Sequence, residues 1–326
     1  MSRRPIGVYG LGNALVDLQV RVTEQELAQL KLRKGGMQLV DVEQQKLLLA
    51  QVRGETQIHA GGSAANTVVG LTQMGTCAAY GCSVGDDAHG LEYRRQMVAH
   101  GVMLPTAPKV GTTSGSCLIL ITPDAERTMN TNLAVSAELG PDDVDEETIR
   151  QAQWLYIEGY LFASPSGSEA SLRAMEMARR HGTRVAVTLS DAFIVQGFRA
   201  TVERAVQTLC DLVFANHVES EAYTGQSDPQ AALRELRRQV PQAVVTHGAA
   251  GSYLDLGEGP VYVPAEKTVA VDLTGAGDMY AAGVLHGLVQ SWSAARAGAL
   301  GARAAARVVA QMGARLPGDL RDLVAP

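Results

Sequence analysis

Short apolar runs alternate along the chain with longer segments in which apolar residues recur every three or four positions. The two spacings predict strands and helices, because they match a pleated strand and a 3.6-residue turn. The predicted strands cover residues 6–11, 78–83, 154–158, 184–188, 211–215 and 243–246. The predicted helices cover residues 63–74, 88–100, 168–181, 229–239, 276–289 and 293–312. This alternation is typical of a mostly parallel sheet covered by helices.

Two segments, residues 18–40 and about 109–133, interrupt this alternation and carry strand-like patches of their own. In the first, Thr23 and Glu26 have the capping-box spacing, which predicts a short helix that ends at Leu30. No internal repeat or low-complexity tract divides the sequence. With 326 residues, 46% of them hydrophobic, the chain can bury a large core. We therefore expect one α/β domain over residues 1–326 that carries two insertions.

The run from Asp272 to Asp278 (DLTGAGD) leads straight into a predicted helix and combines an anion cradle with a base. Gly275, Ala276 and Gly277 carry little side-chain bulk, so their N–H groups at a helix start can surround a phosphate oxygen. Asp278 can then accept a proton from an attacking alcohol. The implied reaction is phosphoryl transfer to a hydroxyl. The simpler alternative is a loop that ends in a helix N-cap.

A second turn, HAGGSAAN over residues 59–66, also joins a predicted strand to a helix. Gly61 and Gly62 allow a ligand to approach the backbone, and Asn66 offers both a donor and an acceptor to sugar hydroxyls. The alternative is a tight structural turn with a structural Asn. The two turns together favour a site for phosphoryl transfer to a sugar-like acceptor.

Charge and cysteine content narrow the functional classes. The net charge is −6 and no basic run occurs, which disfavours a nucleic-acid-binding protein. The four cysteines form no C-x-x-C pair, and we expect Cys77 and Cys117 to be small buried hydrophobes in strands. The N-terminal apolar run is too short for a secretory signal, and no apolar stretch is long enough to span a membrane. We expect a cytoplasmic protein.

Both turns resemble the signatures of the PfkB (ribokinase-like) family of carbohydrate and nucleoside kinases, in the same order along the chain. Asn216 and Glu219 resemble its Asn-x-x-Glu motif, and Thr246 and Gly248 resemble its phosphate-binding strand and turn. The resemblance implies a three-layer α/β/α fold with a mostly parallel sheet and a small β lid. Residues of about 14–40 and 109–133 would form that lid.

Within this family the chain is most similar to adenosine kinases and related bacterial sugar kinases. The pattern GNALVD, from Gly12 to Asp17, matches the segment in which Asn13 and Asp17 bind the ribose hydroxyls. Carboxylate and amide groups suit a cis-diol. The resemblance implies that Tyr160 and Phe193 stack on the base. The other implied acceptor-binding residues are Gly61, Gly62, Asn66, Leu15, Leu39, Thr131 and Leu133.

The resemblance also implies the catalytic roles. Asp278 is the base, the Gly275 to Gly277 backbone stabilises the transferred charge, and Arg127 reaches the phosphoryl group from the lid. ATP and Mg²⁺ are the implied cofactors, with Mg²⁺ held through water by Asn216 and Glu219; a K⁺ requirement is left open. Implied nucleotide-binding residues are Asn216, Glu219, Thr246, Gly248, Asp272 and Thr274. The partners would be a nucleoside or sugar and ATP, and the protein a monomer or a homodimer paired through its lids.

Two departures from the family pattern leave the acceptor open. Thr131, beside Asn130, stands where related adenosine kinases keep apolar residues. This polar wall could favour a nucleoside with a 6-oxo purine, such as inosine or guanosine, or a free sugar of the ribose, fructose or 2-keto-3-deoxygluconate type in place of adenosine. Leu273 replaces the usual Thr, Ser, Pro or Val, and we expect it to modulate cation or phosphate contacts without abolishing catalysis.

Two other classes of function have weaker support in the sequence. Gly10-x-Gly12 lacks the third glycine of a dinucleotide fingerprint, since position 15 is Leu15, and the intact Asp278 disfavours a non-catalytic ligand sensor.

Overall fold

The computed structural model describes residues 4–124 and 126–325. Residues 1–3 and 326 of the expected domain, and Ala125 of the second expected insertion, lie outside the described residues. The strands are β1 (Ile6–Leu11), β2 (Leu15–Arg21), β3 (Met37–Leu39), β4 (Thr56–Gly61), β5 (Ala78–Gly81), β6 (Gly115–Ile121), β7 (Arg127–Asn132), β8 (Ala152–Glu158), β9 (Arg184–Thr188), β10 (Leu212–Asn216), β11 (Gln242–Thr246), β12 (Ser252–Asp255) and β13 (Val261–Val263). The helices are α1 (Glu24–Gln29), α2 (Val42–Gln51), α3 (Ser63–Gln73), α4 (Ala88–Ala99), α5 (Glu146–Gln151), α6 (Pro165–His181), α7 (Ala192–Gly197), α8 (Arg199–Leu209), α9 (His217–Thr224), α10 (Pro229–Arg237), α11 (Ala276–Val289), α12 (Ala294–Val309) and α13 (Arg321–Val324).

The main sheet has eight strands in the order β13-β12-β11-β10-β9-β8-β1-β5. The six strands from β11 to β5 in that order are parallel, and β12 and β13 are antiparallel additions at one edge. Successive side chains of β1 enter different cores: Val8 packs in one with α3, α11 and α12, and Tyr9 in the other with α5, α6, α8 and α10. Helices therefore cover both faces, and the expected three-layer α/β/α fold is confirmed.

A second, smaller sheet of five strands, in the order β3-β7-β6-β2-β4, is built from the two insertions. We call it the small sheet. The expected segments supply β2, β3, β6 and β7, but the first insertion extends beyond residue 40 through α2 and β4 to Gly61. The sequence pattern does not predict β4, because residues 56–61 contain no continuous apolar run. The structure explains this, since four of the six β4 residues are not fully buried. β4 pairs antiparallel with β2 and completes this sheet.

The register of the small sheet places alternate residues on opposite faces. Asp17 lies opposite both His59 and Cys117, and Cys117 lies opposite Thr131, so these side chains share one face. Asn130 lies on the other face, where it is fully buried and its side chain accepts a hydrogen bond from Gln38 Nε2 at 2.8 Å. The expected polar wall of Asn130 and Thr131 is therefore wrong for Asn130, because adjacent strand residues cannot face the same site.

The predicted main elements are confirmed with small shifts at their ends. The helix expected from the capping box is α1, in which the Thr23 side chain and the Glu26 side chain cap each other's backbone. Cys117 is buried as expected, but the expectation for Cys77 is wrong, because its side chain is exposed one residue before β5 begins. Of the helices in the described part of the chain, none has the length and apolar content needed to cross a bilayer.

Candidate active site

The site lies where several parallel strands end at the same edge of the main sheet, the usual ligand position in such folds. Glu158 ends β8 and Asn216 ends β10, while Asn13 and Gly248 each follow a strand by two residues. The starts of α3 and α11 point into the same region, since both carry residues that contact each other across it. The two motif turns are thus brought together.

The glycine-rich turn forms the N-terminus of α11. Gly275 is its N-cap, with φ of +81°, and Ala276 and Gly277 are its first helical residues. The Ala276 N–H donates to Leu273 O at 3.3 Å, whereas the N–H groups of Gly275 and Gly277 have no hydrogen-bond partner among the described residues. Two unpaired N–H groups at a helix start provide an anion site of the expected kind.

Gly275 is required by its backbone geometry. A Cβ there would lie 2.6 Å from Ala314 O, and its positive φ disfavours any other L-residue. We expect Gly275→Ala to lower the free energy of unfolding by about 1–3 kcal/mol, measured by urea denaturation. Gly277→Ala is the matched control, because nothing lies within 4 Å of its added Cβ. Equal effects of the two substitutions would contradict this geometry.

Asp278 lies one residue past the turn, and both of its carboxylate oxygens accept hydrogen bonds. Ser63 Oγ donates to Oδ1 at 2.6 Å, and Asn66 Nδ2 donates to Oδ2 at 2.9 Å. Burial raises the pKa of Asp278 to about 6, against the opposing effects of these two hydrogen bonds and of the Arg315 charge. A carboxylate with this pKa is unprotonated at neutral pH and is better matched to accept a proton than an ordinary Asp.

Arg127 reaches from β7 of the small sheet to the turn before α11. Its Nη1 donates to Thr274 Oγ1 at 2.5 Å and lies 3.2 Å from Asp272 Oδ2. Asp272 also accepts from Thr274 N, Thr274 Oγ1 and Gly313 N, so it fixes this turn. The Nε and Nη2 atoms of Arg127 are buried and have no hydrogen-bond partner in the part of the chain that the structure describes. Buried donors of this kind are costly unless an anion satisfies them.

Asn13 is held by a buried hydrogen-bond network. Its Nδ2 donates to Glu158 Oε1 at 3.0 Å and its Oδ1 accepts from Ser136 Oγ at 3.1 Å. Glu158 Oε2 in turn accepts from Ala64 N, at the start of α3. Burial raises the pKa of Glu158 to about 7. Both polar atoms of the Asn13 side chain are therefore hydrogen-bonded within the protein. Glu158, at the end of β8, bonds to both Asn13 and the start of α3.

Asp17 lies on the site-facing side of the small sheet, close to Gly61. A Cβ on Gly61 would lie 2.6 Å from Asp17 Oδ1, so the absence of a side chain there lets the carboxylate pack against the strand. The Asp17 side chain has no hydrogen bond to a described residue. Burial raises its pKa to about 6, while Arg315 and Arg127 act to lower it. Asp17 is thus an acceptor available for ligand hydroxyls.

The second turn is fixed by Gly62, the N-cap of α3. Its φ is +101°, and a Cβ there would lie 2.4 Å from Asn13 O. Gly62 O accepts from Asn66 N at 2.9 Å, as the first bond of the helix. This turn therefore places Asn66 toward Asp278 and packs the Asn13 loop against the start of α3.

The expected apolar residues are distributed unevenly. Leu15 and Leu133 both approach Gly115, where a Cβ would meet Leu15 Cδ2 at 2.9 Å and Leu133 O at 2.6 Å. Leu39 lies on the edge strand β3 and is 65% exposed. Thr131 is buried and donates to Cys117 Sγ at 3.2 Å.

Tyr160 and Phe193 form an aromatic pair beyond the ends of β8 and β9. Their ring centroids are 6.1 Å apart at an interplanar angle of 38°. Phe193 is 43% exposed, which leaves ring surface for a ligand. The nearby acidic groups that raise the pKa of Tyr160, after burial itself, include Asp191, Glu158 and Asp278. The Tyr160 hydroxyl therefore lies within electrostatic range of Glu158 and Asp278.

Two cavities meet at the start of α11. The larger, of about 550 Å³, is lined mostly by small and apolar groups between residues 246 and 309, including Gly248. The smaller, of about 100 Å³, contains Asp278, Ser63 and Glu219. Thr246, Gly277 and Tyr280 line both cavities. A phosphate chain that leaves the larger cavity at Gly277 would therefore arrive beside Asp278.

Asn216 and Glu219 cap each other at the start of α9. Asn216 Oδ1 accepts from Glu219 N at 2.9 Å, and Glu219 Oε1 accepts from Asn216 Nδ2 at 2.6 Å. Burial raises the pKa of Glu219 to about 7. The described residues contain no cluster of three metal-ligating side chains. Mg²⁺ commonly uses one or two carboxylates with water and substrate phosphates, and Glu219 beside the small cavity fits that mode.

Three residues of the site were missed by the sequence reasoning. Ser63 contacts Asp278 directly, and its position three residues before Asn66 was a usable signal, because the two share a helix face. Glu158 lies in a segment that was considered only for Tyr160. Arg315, whose Nε donates to Asn66 Oδ1 at 2.8 Å, follows α12 in a segment without any motif.

The model of the pfkB family carbohydrate kinases matches residues 40–320. The chain belongs to the pfkB family. The crystal structure of adenosine kinase from Sinorhizobium meliloti superposes with a TM-score of 0.90 at 36% identity, covering 98% of each chain. That of a probable sugar kinase from Rhizobium etli gives 0.90 at 35%, covering 99% of this chain and 98% of that one. The 5-dehydro-2-deoxygluconokinase of Geobacillus kaustophilus is 30% identical over 266 residues, which are 77% of this chain and 79% of that protein.

As a pfkB kinase, the protein is a phosphotransferase that acts on a hydroxyl of a small molecule, a nucleoside or a sugar, with ATP as donor. The two named acceptor classes are represented at similar levels of identity, so membership of the family leaves the acceptor to be argued from the site.

Proposed function

We propose that the protein transfers the γ-phosphoryl group of ATP to the 5′-hydroxyl of adenosine, with Asp278 as the base. The observation that carries the proposal is the meeting of the two cavities at Gly277, with Asp278 on one side and the larger apolar cavity on the other. Such an arrangement aligns a phosphate donor with a hydroxyl acceptor across a helix N-terminus, which is the geometry of phosphoryl transfer.

The larger cavity suits the nucleotide donor. Its small and apolar lining accommodates a base, and Thr246 and Gly248 lie where its phosphates would leave. The unpaired N–H groups of Gly275 and Gly277 would then bind the transferred group. Arg127, which bonds to Thr274 of the same turn, would add its unpartnered Nε and Nη2 as donors. Mg²⁺, when bound, would neutralise charge on the phosphates, and Asn216 and Glu219 would hold it through water.

The acceptor side suits a nucleoside. Asp17 presents a carboxylate without a hydrogen bond to a described residue, which can accept from a ribose hydroxyl. Tyr160 and Phe193 offer aromatic surface for a base. Asp278 would remove the proton from the 5′-hydroxyl as the oxygen attacks phosphorus. Asn13 contributes by fixing the turn, since its side chain is already bonded to Glu158 and Ser136.

A free sugar or sugar acid is the second candidate, favoured by one specific observation. Thr131 lies on the same face of the small sheet as Asp17, so the acceptor space has a polar position where related adenosine kinases keep an apolar one. Relatives named for 5-dehydro-2-deoxygluconate are also among the similar proteins.

The two candidates are separated by kcat/KM for adenosine, inosine, guanosine, cytidine, ribose, fructose, 2-keto-3-deoxygluconate and 5-dehydro-2-deoxygluconate. We expect adenosine to be preferred, and Asp17→Asn to raise its KM about 10-fold or more, as loss of a charged hydrogen bond does. Asp228→Asn, at the N-cap of α10, is the matched control and keeps its capping role. Preference for a sugar with no effect of Asp17→Asn on nucleosides would exclude the adenosine assignment.

A further inference from the structure

Arg315 lies in the segment that follows α12, far in sequence from both motif turns, yet it reaches the centre of the site. Its Nε donates to Asn66 Oδ1 at 2.8 Å, and its Nη2 donates to Gly61 O at 3.4 Å. The guanidinium is also within electrostatic range of Asp17 and Asp278, because it acts to lower the pKa of each. The positive charge of Arg315 therefore acts on both Asp17 and Asp278, while its hydrogen bonds go to Asn66 and Gly61.

The contacts form a chain from Arg315 through Asn66 to Asp278. An arginine has only donors and a carboxylate only acceptors, so an Asn between them can satisfy both in a single orientation. Its Oδ1 must face Arg315, and its Nδ2 must then face Asp278 Oδ2, at 2.9 Å. Without Arg315, the Asn66 amide loses the partner that fixes this orientation.

The main chain around Arg315 is held to the same helix that carries Asn66. Gln73, the last residue of α3, donates from Nε2 to Leu316 O at 2.6 Å and to Gly318 O at 2.9 Å. On the other side, Gly313 N donates to Asp272 Oδ2 at 2.8 Å. The segment is thus anchored on both sides of Arg315, so the guanidinium is presented to Asn66 by a supported backbone.

We propose that Arg315 is a positioning residue for phosphoryl transfer, which orients the Asp278 carboxylate through Asn66 so that its free lone pairs face the acceptor hydroxyl. The inference rests on the proposed function, in which Asp278 is the base. The charge of Arg315 adds a second effect in the same direction. It opposes the increase in the pKa of Asp278 that burial causes, and so keeps the base unprotonated at neutral pH.

The first test is a ¹³C-carboxyl NMR titration of the protein without substrates, with the Asp278 signal assigned by its absence in Asp278→Asn. We expect Arg315→Gln to raise the pKa of Asp278 by at least about 0.5 unit, because a nearby positive charge is removed. Arg303→Gln is the matched control, since the Arg303 side chain donates to Leu323 O at 2.8 Å and to no other described residue. An unchanged titration would overturn the electrostatic part of the inference even if the protein proved to have another activity.

The second test is kinetic. Arg315→Gln is expected to lower kcat about 10-fold and to shift the acidic limb of the pH profile of kcat to higher pH. Arg315→Lys keeps the positive charge and should leave that limb in place, but it lacks the planar guanidinium group and should also have a lower kcat. On an Asn66→Ala background, Arg315→Gln should reduce kcat much less than in the wild type, because the two residues act in series. Additive losses, or a wild-type rate in Arg315→Gln, would refute positioning through Asn66. Wild-type protein that turned over no acceptor would instead count against the proposed function.

Discussion

Replacement of Asp278 by Asn is expected to lower kcat at least ~10²-fold, the usual effect of losing a general base, while acceptor affinity changes little. Asn keeps the size of the side chain and can still bond to Ser63, but it cannot take the proton of the attacking hydroxyl. In the wild type, kcat should fall as the pH drops through about 6, because Asp278 with a pKa of about 6 becomes protonated there and can no longer act as a base.

The rate of ADP release is measured at saturating ATP and acceptor between about pH 5 and pH 8, a range that includes the pKa of the base. The dissociation constant of the acceptor is measured separately by calorimetry. Asp228→Asn is again the control for an Asp-to-Asn exchange outside the site. Full turnover of Asp278→Asn would refute the assignment of the base. Loss of acceptor binding in this variant would assign Asp278 to binding instead of catalysis.

Replacement of Arg127 by Met is expected to lower kcat/KM for ATP by ~10²-fold or more, in line with the loss of one preorganised donor to a transition-state charge. The reason is the pair of buried donors, Nε and Nη2, that have no partner among the described residues and belong to a side chain bonded to the turn at Asp272 and Thr274. Arg127→Lys keeps the positive charge but lacks the planar guanidinium group, so its kcat/KM should lie between those of Arg127→Met and the wild type.

Arg94→Met is the matched control for Arg127, because Arg94 is also partly buried and donates to a backbone oxygen, Thr106 O, at 2.6 Å. Its kcat/KM should stay near that of the wild type. A wild-type kcat/KM for Arg127→Met would show that the orphaned donors contact no phosphoryl group. Thermal unfolding of both variants separates the expected loss of activity from a loss of fold, since Arg127 also pairs with Asp272.

The main sheet and its helices could be predicted from the sequence because their apolar spacing is strong and local. The small sheet was harder. The residues of β4, four of which are not fully buried, show no apolar run, and its pairing with β2 depends on a contact across some 40 residues. Asn130 shows a related difficulty, because only the register of β6 and β7 decides which face of the sheet it occupies.

The residues of the candidate site also fall into those predictable from a local motif and those brought together only by the fold. Gly275, Gly277 and Asp278 could be placed together from one motif, because a turn followed by a helix fixes their geometry locally. The pairing of Asp278 with Ser63 joins residues more than two hundred positions apart, and only the fold brings them into contact. Arg315 had no sequence signal at all, since an isolated arginine in a segment without periodicity is usually a surface residue.

Phosphorylation of adenosine by this protein is tested most directly by ³¹P NMR of the products that the wild type forms from ATP and adenosine. We expect ADP and adenosine 5′-monophosphate in equal amounts from the wild type, and formation of both at least ~10²-fold more slowly from Asp278→Asn. Release of inorganic phosphate alone, or consumption of ATP only when a free sugar replaces adenosine, would contradict the proposed function.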